Sequence, residues 1–157
     1  MKIPTLPPST ETSSLSEALR SSDVILDAIF GFSFKGPVRP PFDEALRLIA
    51  GCKLPIVSVD IPSGWDVEQG NAGGVGLEPD VLVSLTAPKL GVKAFKGRHF
   101  LGGRFVPRWV IEMFFSRGVY LDFLNRTLEE KFELNLPEYL DCEQIVELES
   151  DELEQKL

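Results

Sequence analysis

Three short apolar runs constrain this chain more than any other feature: VILDAIF at 24–30, LPIVSVDIP at 54–62 and DVLVSLTAP at 80–88. A continuous apolar run bounded by turn residues is the pattern of a parallel strand, because such a strand is covered on both faces. Between the first two lies a clear helix signal. Pro40 and Pro41 precede it, and Asp43 and Glu44 sit in its first turn. Phe42, Ala45, Leu46 and Ile49 share one face, and Gly51 is the stop. Pro62 and Pro88 close the second and third runs, and HFLGGRFVP at 99–107 reads as a fourth strand. Upstream, SLSEALRSS at 14–22 reads as a short helix capped by Ser14 or Ser16.

Strands alternating with helical or loop crossovers at this spacing predict an α/β protein: a Rossmann-like three-layer sandwich with a mainly parallel sheet and right-handed crossovers. In such sheets ligands bind outside the carboxyl ends of the strands. The loops GFSFKG (31–36), DIPSGWD (60–66) and APKLGVKAFKGR (87–98) are therefore expected to face one crevice.

The 157 residues suit one domain, with a net charge of −8. That charge is uneven: residues 1–120 carry 13 basic against 12 acidic side chains, and residues 121–157 carry 3 against 12. The acidity belongs to a tail that reads as solvated and partly disordered. Cys52 and Cys142 lack the close spacing of a metal or redox pair, which makes a reduced intracellular compartment the default. No run reaches membrane-spanning length, and the opening residues have neither the apolar core of a secretory signal nor the Arg-rich, acid-poor make-up of a transit peptide. A nucleic-acid surface is not expected, because the chain is acidic and its basic residues lack interleaved stacking aromatics.

Four features carry chemistry. GFSFKGP has two glycines five apart, but Pro37 and Val38 stand where a phosphate-binding P-loop needs Lys and Ser or Thr; Ser33 likewise breaks the dinucleotide fingerprint. What remains is either a loop of exposed amides with Lys35, suited to an anionic ligand ahead of a helix, or a connector whose two Phe side chains fill core gaps. Asp60 ends a buried strand, where a lone carboxylate is costly unless paired, hydrogen-bonded or working; it is either a general acid/base or a cap for the following turn. Asp27 lies inside a buried strand with no basic neighbour in sequence. It calls for a cation, with Ser63 arriving from the next strand end, or for a hydrogen-bond network. Lys89, Lys93, Lys96, Arg98 and Arg104 form a basic cluster that complements a phosphate-bearing ligand or is simply a solvated surface. His99, the single histidine, reads as structural, and the NRT sequon at Asn125 matters only in a secreted chain.

In their order, VILDAIFGFSFKG, PIVSVDIPSGWDVEQGNAGG, PDVLVSLTAPK, FKGRHFLGGRFVP and LEEKFELNLPEY make a chain that resembles the NAD(P)H-hydrate epimerase family, whose domain is called the YjeF N-terminal domain or apolipoprotein A-I-binding protein. The resemblance covers most of residues 22–142. It implies a Rossmann-like, usually dimeric fold that interconverts the R and S epimers of hydrated NADH and NADPH for a partner dehydratase. By position it implies Asp27 and Ser63 as ligands of one potassium ion per subunit. Gly31, Phe32, Ser33, Phe34, Lys35, Gly36 and Pro37 become the nucleotide-contacting loop, and Asp60 a substrate-contacting acid. It further implies a homodimer, an apolipoprotein A-I-type protein partner, and a cytoplasmic or mitochondrial location, with some members secreted. Two departures stand out. The family's Gly/Asn-rich loop of the NNGGDG type has no counterpart here, so the sequence reads as N-terminally truncated. Residues 108–126 read as an insert with no family role. The resulting organisation is an N-terminal loop and helix (1–21), the family domain (22–142) and an acidic tail (143–157). The rival reading is a non-catalytic interaction module built on the same fold.

Overall fold

The computed structural model describes residues 5–7, 12–102 and 144–148. Within them run α1 (Thr12–Arg20), β1 (Ile25–Asp27), α2 (Phe42–Gly51), β2 (Ile56–Val59), β3 (Val81–Leu85), a single 3₁₀ turn (Leu90–Val92), β4 (Arg98–Gly102) and β5 (Ile145–Leu148). The five strands form one sheet in the order β1-β2-β3-β4-β5; the first three pairings are parallel and β4–β5 is antiparallel.

Spatial order follows chain order from β1 to β4. With right-handed crossovers, that arrangement carries every connection over the same face of the sheet. The burial pattern agrees. The covered face presents Ile25 and Asp27 from β1, Ile56 and Ser58 from β2, Leu82 and Ser84 from β3, and His99 and Leu101 from β4, all buried. Leu46 and Ile49 of α2 pack on Ile25, Ile56 and Leu77, with Leu19 of α1 at the margin. Ile61, Trp65, Val92 and Phe95, from the two later crossovers, close over Leu82. Each fully buried Leu in these clusters contributes about 1.5–3 kcal/mol relative to exposure.

The opposite face carries Val57, Val59, Val81, Val83 and Leu85, partly buried, while Leu26 on the β1 edge remains 69% exposed. Among the described residues the helices cover one face; the second cover of a three-layer sandwich does not fall among them.

Each expected strand and both expected helices form, with shifted ends. β1 stops at Asp27 rather than running on to Phe30, because the next amides turn to side chains: Ile29 N–H donates to Asp27 Oδ1 (3.5 Å) and Phe30 N–H to Ser63 Oγ (3.3 Å). α1 begins at Thr12, so Ser14 and Ser16 lie inside the helix rather than capping it. The acidic tail needs a correction. Its residues 145–148 form β5, where Leu148 is buried against the sheet and Glu147 takes a two-pronged ion pair from Arg98 at 2.8 and 3.0 Å. That pairing holds the Glu147 carboxyl below its ordinary range and raises the Arg98 guanidinium. Arg104, residues 108–126, Asn125 and Cys142 lie outside the described residues.

Candidate active site

Asp27 is 1% exposed and its carboxylate joins three segments. Oδ2 accepts from Ser58 Oγ (2.8 Å) on β2 and from the Ser63 amide (2.9 Å); Oδ1 accepts from Ser63 Oγ (2.6 Å). The cause lies in the register. Asp27 pairs with Ser58 across β1–β2, and the chain, turned out of the sheet at Asp60 (φ 72°), brings Ser63 to the same carboxylate. Ser63 Oγ passes the network on by accepting the Phe30 amide, so the start of the 31–37 loop hangs from Asp27 through one hydroxyl.

Asp60 is the first residue past β2. Its amide still donates to Val83 O (2.8 Å), but its φ of 72° turns the chain out of the sheet at once. The carboxylate does not cap the turn that follows. A backbone bond from Trp65 N–H to Pro62 O (3.0 Å) closes that turn. The next one is capped by Asp66, whose Oδ1 accepts the amides of Glu68 (2.8 Å) and Gln69 (2.9 Å); these amides, Gln69 first, hold its carboxyl below the ordinary range. Asp60 reaches to both sides instead. Oδ2 accepts the Phe32 amide (2.9 Å), and Oδ1 receives Lys89 Nζ, which also donates to Leu85 O (2.9 Å). The side chains of Lys89 and Asp60 are 18% and 13% exposed, largely sheltered from water.

The three expected loops therefore converge, and Asp60 joins them. Gly31 fits closely at this junction: a Cβ there would meet Asp60 Oδ2 at 3.3 Å, and the carboxylate would have to give by a few tenths of an ångström. Phe34 stacks on Phe30 (centroids 4.0 Å apart), while Phe32, Ser33, Lys35, Gly36 and Pro37 stay exposed. Of the two loop aromatics, one packs inward and the other is left at the rim. Beneath the second loop Gly64 (φ 91°) touches Gly76, where a Cβ would come within 2.8 Å of its Cα, and Trp65 Nε1 anchors the turn on Leu77 O (2.7 Å).

The basic cluster divides. Lys89 belongs to Asp60, Arg98 pairs with Glu147 at the opposite edge of the sheet, and Lys93 and Lys96 are exposed. Lys89 as the partner of Asp60 escapes the sequence reading. The available signal is that two adjacent parallel strands end in Asp60 and, a short turn after Leu85, in Lys89, so both charges emerge at one edge. His99 is structural: Nε2 lies 2.8 Å from Ser84 Oγ, and burial first, then the charge on Lys89, pushes its pKa down to about 4. A cavity of about 380 Å³ between α1 and the end of α2, lined by Leu19, Arg20, Leu48, Cys52 and Leu54, opens by the entry to β2, at the edge away from these loops.

Fold and site together define a Rossmann-like α/β protein with a sheltered Asp60–Lys89 ion pair at the carboxyl edge of its sheet. The chain belongs to the YjeF family: the family model for the YjeF-related protein N-terminus matches residues 3–91. It is 50% identical over 141 residues to a protein of Puccinia graminis f. sp. tritici named NAD(P)H-hydrate epimerase, covering 90% of this chain and 51% of that protein. Proteins of the same name from Cryptococcus neoformans (52% over 145 residues, 83% and 51% covered) and Paramecium tetraurelia (48% over 130 residues, 83% and 48% covered) are also similar. The crystal structure of the yeast protein ynu0 superposes with a TM-score of 0.67 at 37% identity, over 85% of this chain and 50% of that one. The chain thus spans about half the length of the relatives it matches.

Proposed function

We propose that this chain carries the acid–base centre of an NAD(P)H-hydrate epimerase, acting on the R and S hydrates of NADH and NADPH. The observation that carries this reading is Asp60, suspended between the 31–37 loop and Lys89 at the carboxyl edge of the sheet. The relatives that share about half their sequence with this chain bear that enzyme's name. The substrate is a hemiaminal, with a hydroxyl on the carbon beside the ring nitrogen. Protonating that hydroxyl lets it leave as water while the nitrogen lone pair forms a C=N⁺ bond. Water then adds to the other face and gives up a proton, which inverts the centre. Asp60 serves this proton traffic as the site's carboxylate. The exposed amides and Lys35 of the 31–37 loop contact the nucleotide, and Phe32 supplies a ring at the rim.

A potassium ion suits the floor of this site. Asp27 is a buried carboxylate whose partners among the described residues are all neutral donors, and its Oδ1 and Ser63 Oγ lie 2.6 Å apart, so one cation can touch both. The donors are oxygens with a single formal charge. Among the described residues no three His, Cys, Asp or Glu side chains gather to hold a metal, which matches a hard monovalent ion better than a transition metal. Asp27 and Ser63 would hold the ion, and its chemistry would be electrostatic: neutralising Asp27 and fixing the amide end of the loop.

The test follows the two hydrates by chromatography with purified chain in potassium buffer, subtracting spontaneous epimerisation. Acceleration is expected in the native chain, and a loss of at least about 100-fold in folded Asp60→Asn, the scale of general acid–base catalysis. A folded Asp60→Asn protein with full activity refutes the role given to Asp60, and an inert native chain refutes the enzyme reading.

A further inference from the structure

Asp60 has both carboxylate oxygens turned to donors, Phe32 N–H on Oδ2 and Lys89 Nζ on Oδ1. A carboxylate so placed is an acceptor. The departing hydroxyl, however, needs a group that arrives carrying a proton. Lys89 meets that need. Its ammonium has three N–H bonds; one goes to Asp60 and one to Leu85 O at 2.9 Å, which leaves a third without a partner among the described residues. The flexible stem is gripped at its tip by both acceptors, so the third N–H has a fixed direction. With its side chain only 18% exposed, Lys89 acts where water does not compete freely for the proton.

We infer that Lys89 is the acid of the reaction and Asp60 the base that holds and recharges it, an assignment that rests on the epimerase reading above. In the forward half, the C–O bond of the hemiaminal breaks with its electron pair going to oxygen. Lys89 Nζ transfers one proton to that oxygen, water departs, and the ring nitrogen lone pair becomes the second C–N bond. Lys89 is left as a neutral amine, still held by Asp60 and Leu85 O. In the return half, water adds to the opposite face and the C–O bond re-forms. The proton lost by the new oxygen passes through solvent water to the Lys89–Asp60 pair and restores the ammonium. No oxidant, reductant or second substrate is consumed.

The discriminating variants are Lys89→Met, Lys89→Arg and Lys89→Ala, each checked for a native melt and assayed on the hydrate epimers with the full chain. Lys89→Met removes every donor at nearly constant length; kcat is expected to fall about 100-fold or more while KM moves little. Lys89→Arg keeps the ion pair with Asp60 but cannot give up its proton, so it stays as slow as Lys89→Met. Added ethylammonium is expected to restore part of the rate to Lys89→Ala and none to Lys89→Arg. A folded Lys89→Met within threefold of the native kcat overturns the inference. So does Lys89→Arg recovering more than half the native rate, since only positive charge is then required. An active native chain with either result sinks Lys89 as acid and spares the epimerase reading; an inert native chain sinks both.

Discussion

Replacing Asp27 by Ala tests how the site is built, independently of any substrate. Ser58 and Ser63 are wholly buried, and Asp27 accepts two of their hydroxyls and one amide. Hydrogen bonds to a charged acceptor contribute about 1.5–3 kcal/mol each. The hydroxyls can rotate toward other acceptors, but the Ser63 amide is fixed by the backbone and stays orphaned. Removing a buried charge offsets part of the loss. The expected net cost is about 2–4 kcal/mol, out of the roughly 5–15 kcal/mol typical of a domain. For a chain of this size that is a fall in Tm of about 5–15 °C. Asp27→Asn falls in between: with its oxygen turned to the Ser63 amide it keeps that bond, and its NH2 then faces Ser63 Oγ, whose hydroxyl can rotate to accept, so the loss is that of the charge on the acceptor.

Urea denaturation followed by circular dichroism, with m compared between proteins, measures this directly. Melts in potassium and in choline at matched ionic strength separate the clasp from the ion. If Asp27 holds potassium, the native chain melts higher in potassium by an amount that grows with concentration, and Asp27→Ala melts alike in both salts. A cost under about 0.5 kcal/mol, the range of ordinary surface substitutions, would show that Asp27 does not bind the loop to the sheet. The site as described would then be wrong at its base.

Two further outcomes follow from the packing. His99 in the folded chain has its pKa pushed down to about 4 from an ordinary 6.5, so between those values the unfolded chain binds the extra proton and stability falls as pH drops; the loss approaches about 3 kcal/mol near pH 4, and His99→Gln flattens that part of a stability–pH curve measured by urea titration. Thr86 sits at φ 68°, where a β-branched residue costs about 1–2 kcal/mol; Thr86→Gly relieves that strain against about 0.5–1 kcal/mol of backbone entropy, and is expected to raise the urea midpoint slightly, whereas a clear fall would mean that the threonine side chain holds the turn.

The strands were legible because burial on a sheet writes itself into consecutive apolar residues, and α2 because Phe42, Ala45, Leu46 and Ile49 repeat at helical spacing. Asp27 and Asp60 were legible as anomalies, acids where the pattern calls for Val or Ile. Which of two jobs each did was not. The choice depends on register: Asp27 lies opposite Ser58 rather than one residue away, and a one-residue slip would have turned it to the other face. β5 stayed hidden because IVEL is four residues within an acidic stretch. Its place is set by a partner, Arg98, 49 positions away in the chain, and no local pattern encodes that. Lys89 was visible only as one of several cations, since sequence distance says nothing about which of them faces the carboxyl edge.

The geometry of that edge explains why a carboxylate and an ammonium meet there at all. Asp60 and Thr86 are the first residues beyond neighbouring parallel strands, and each still donates its amide to the next strand, to Val83 O and Gly102 O. A strand continuing in extended conformation would carry its side chains onward, away from the edge. Both residues instead adopt left-handed backbone, at φ 72° and 68°, and the chain folds back on itself. After Thr86 the return is tight enough that Ala87 N–H reaches Leu85 O (2.8 Å) and Lys89 Nζ reaches the same carbonyl. After Asp60 it leaves the carboxylate level with the strand ends, between Phe32 on one side and Lys89 on the other. Two strained residues, each costing energy that a glycine would save, thus place one ion pair at the point where three loops meet. Strain of this kind persists where the surrounding structure over-determines it, and here that surrounding is the Asp27 clasp below and the Asp60–Lys89 pair above.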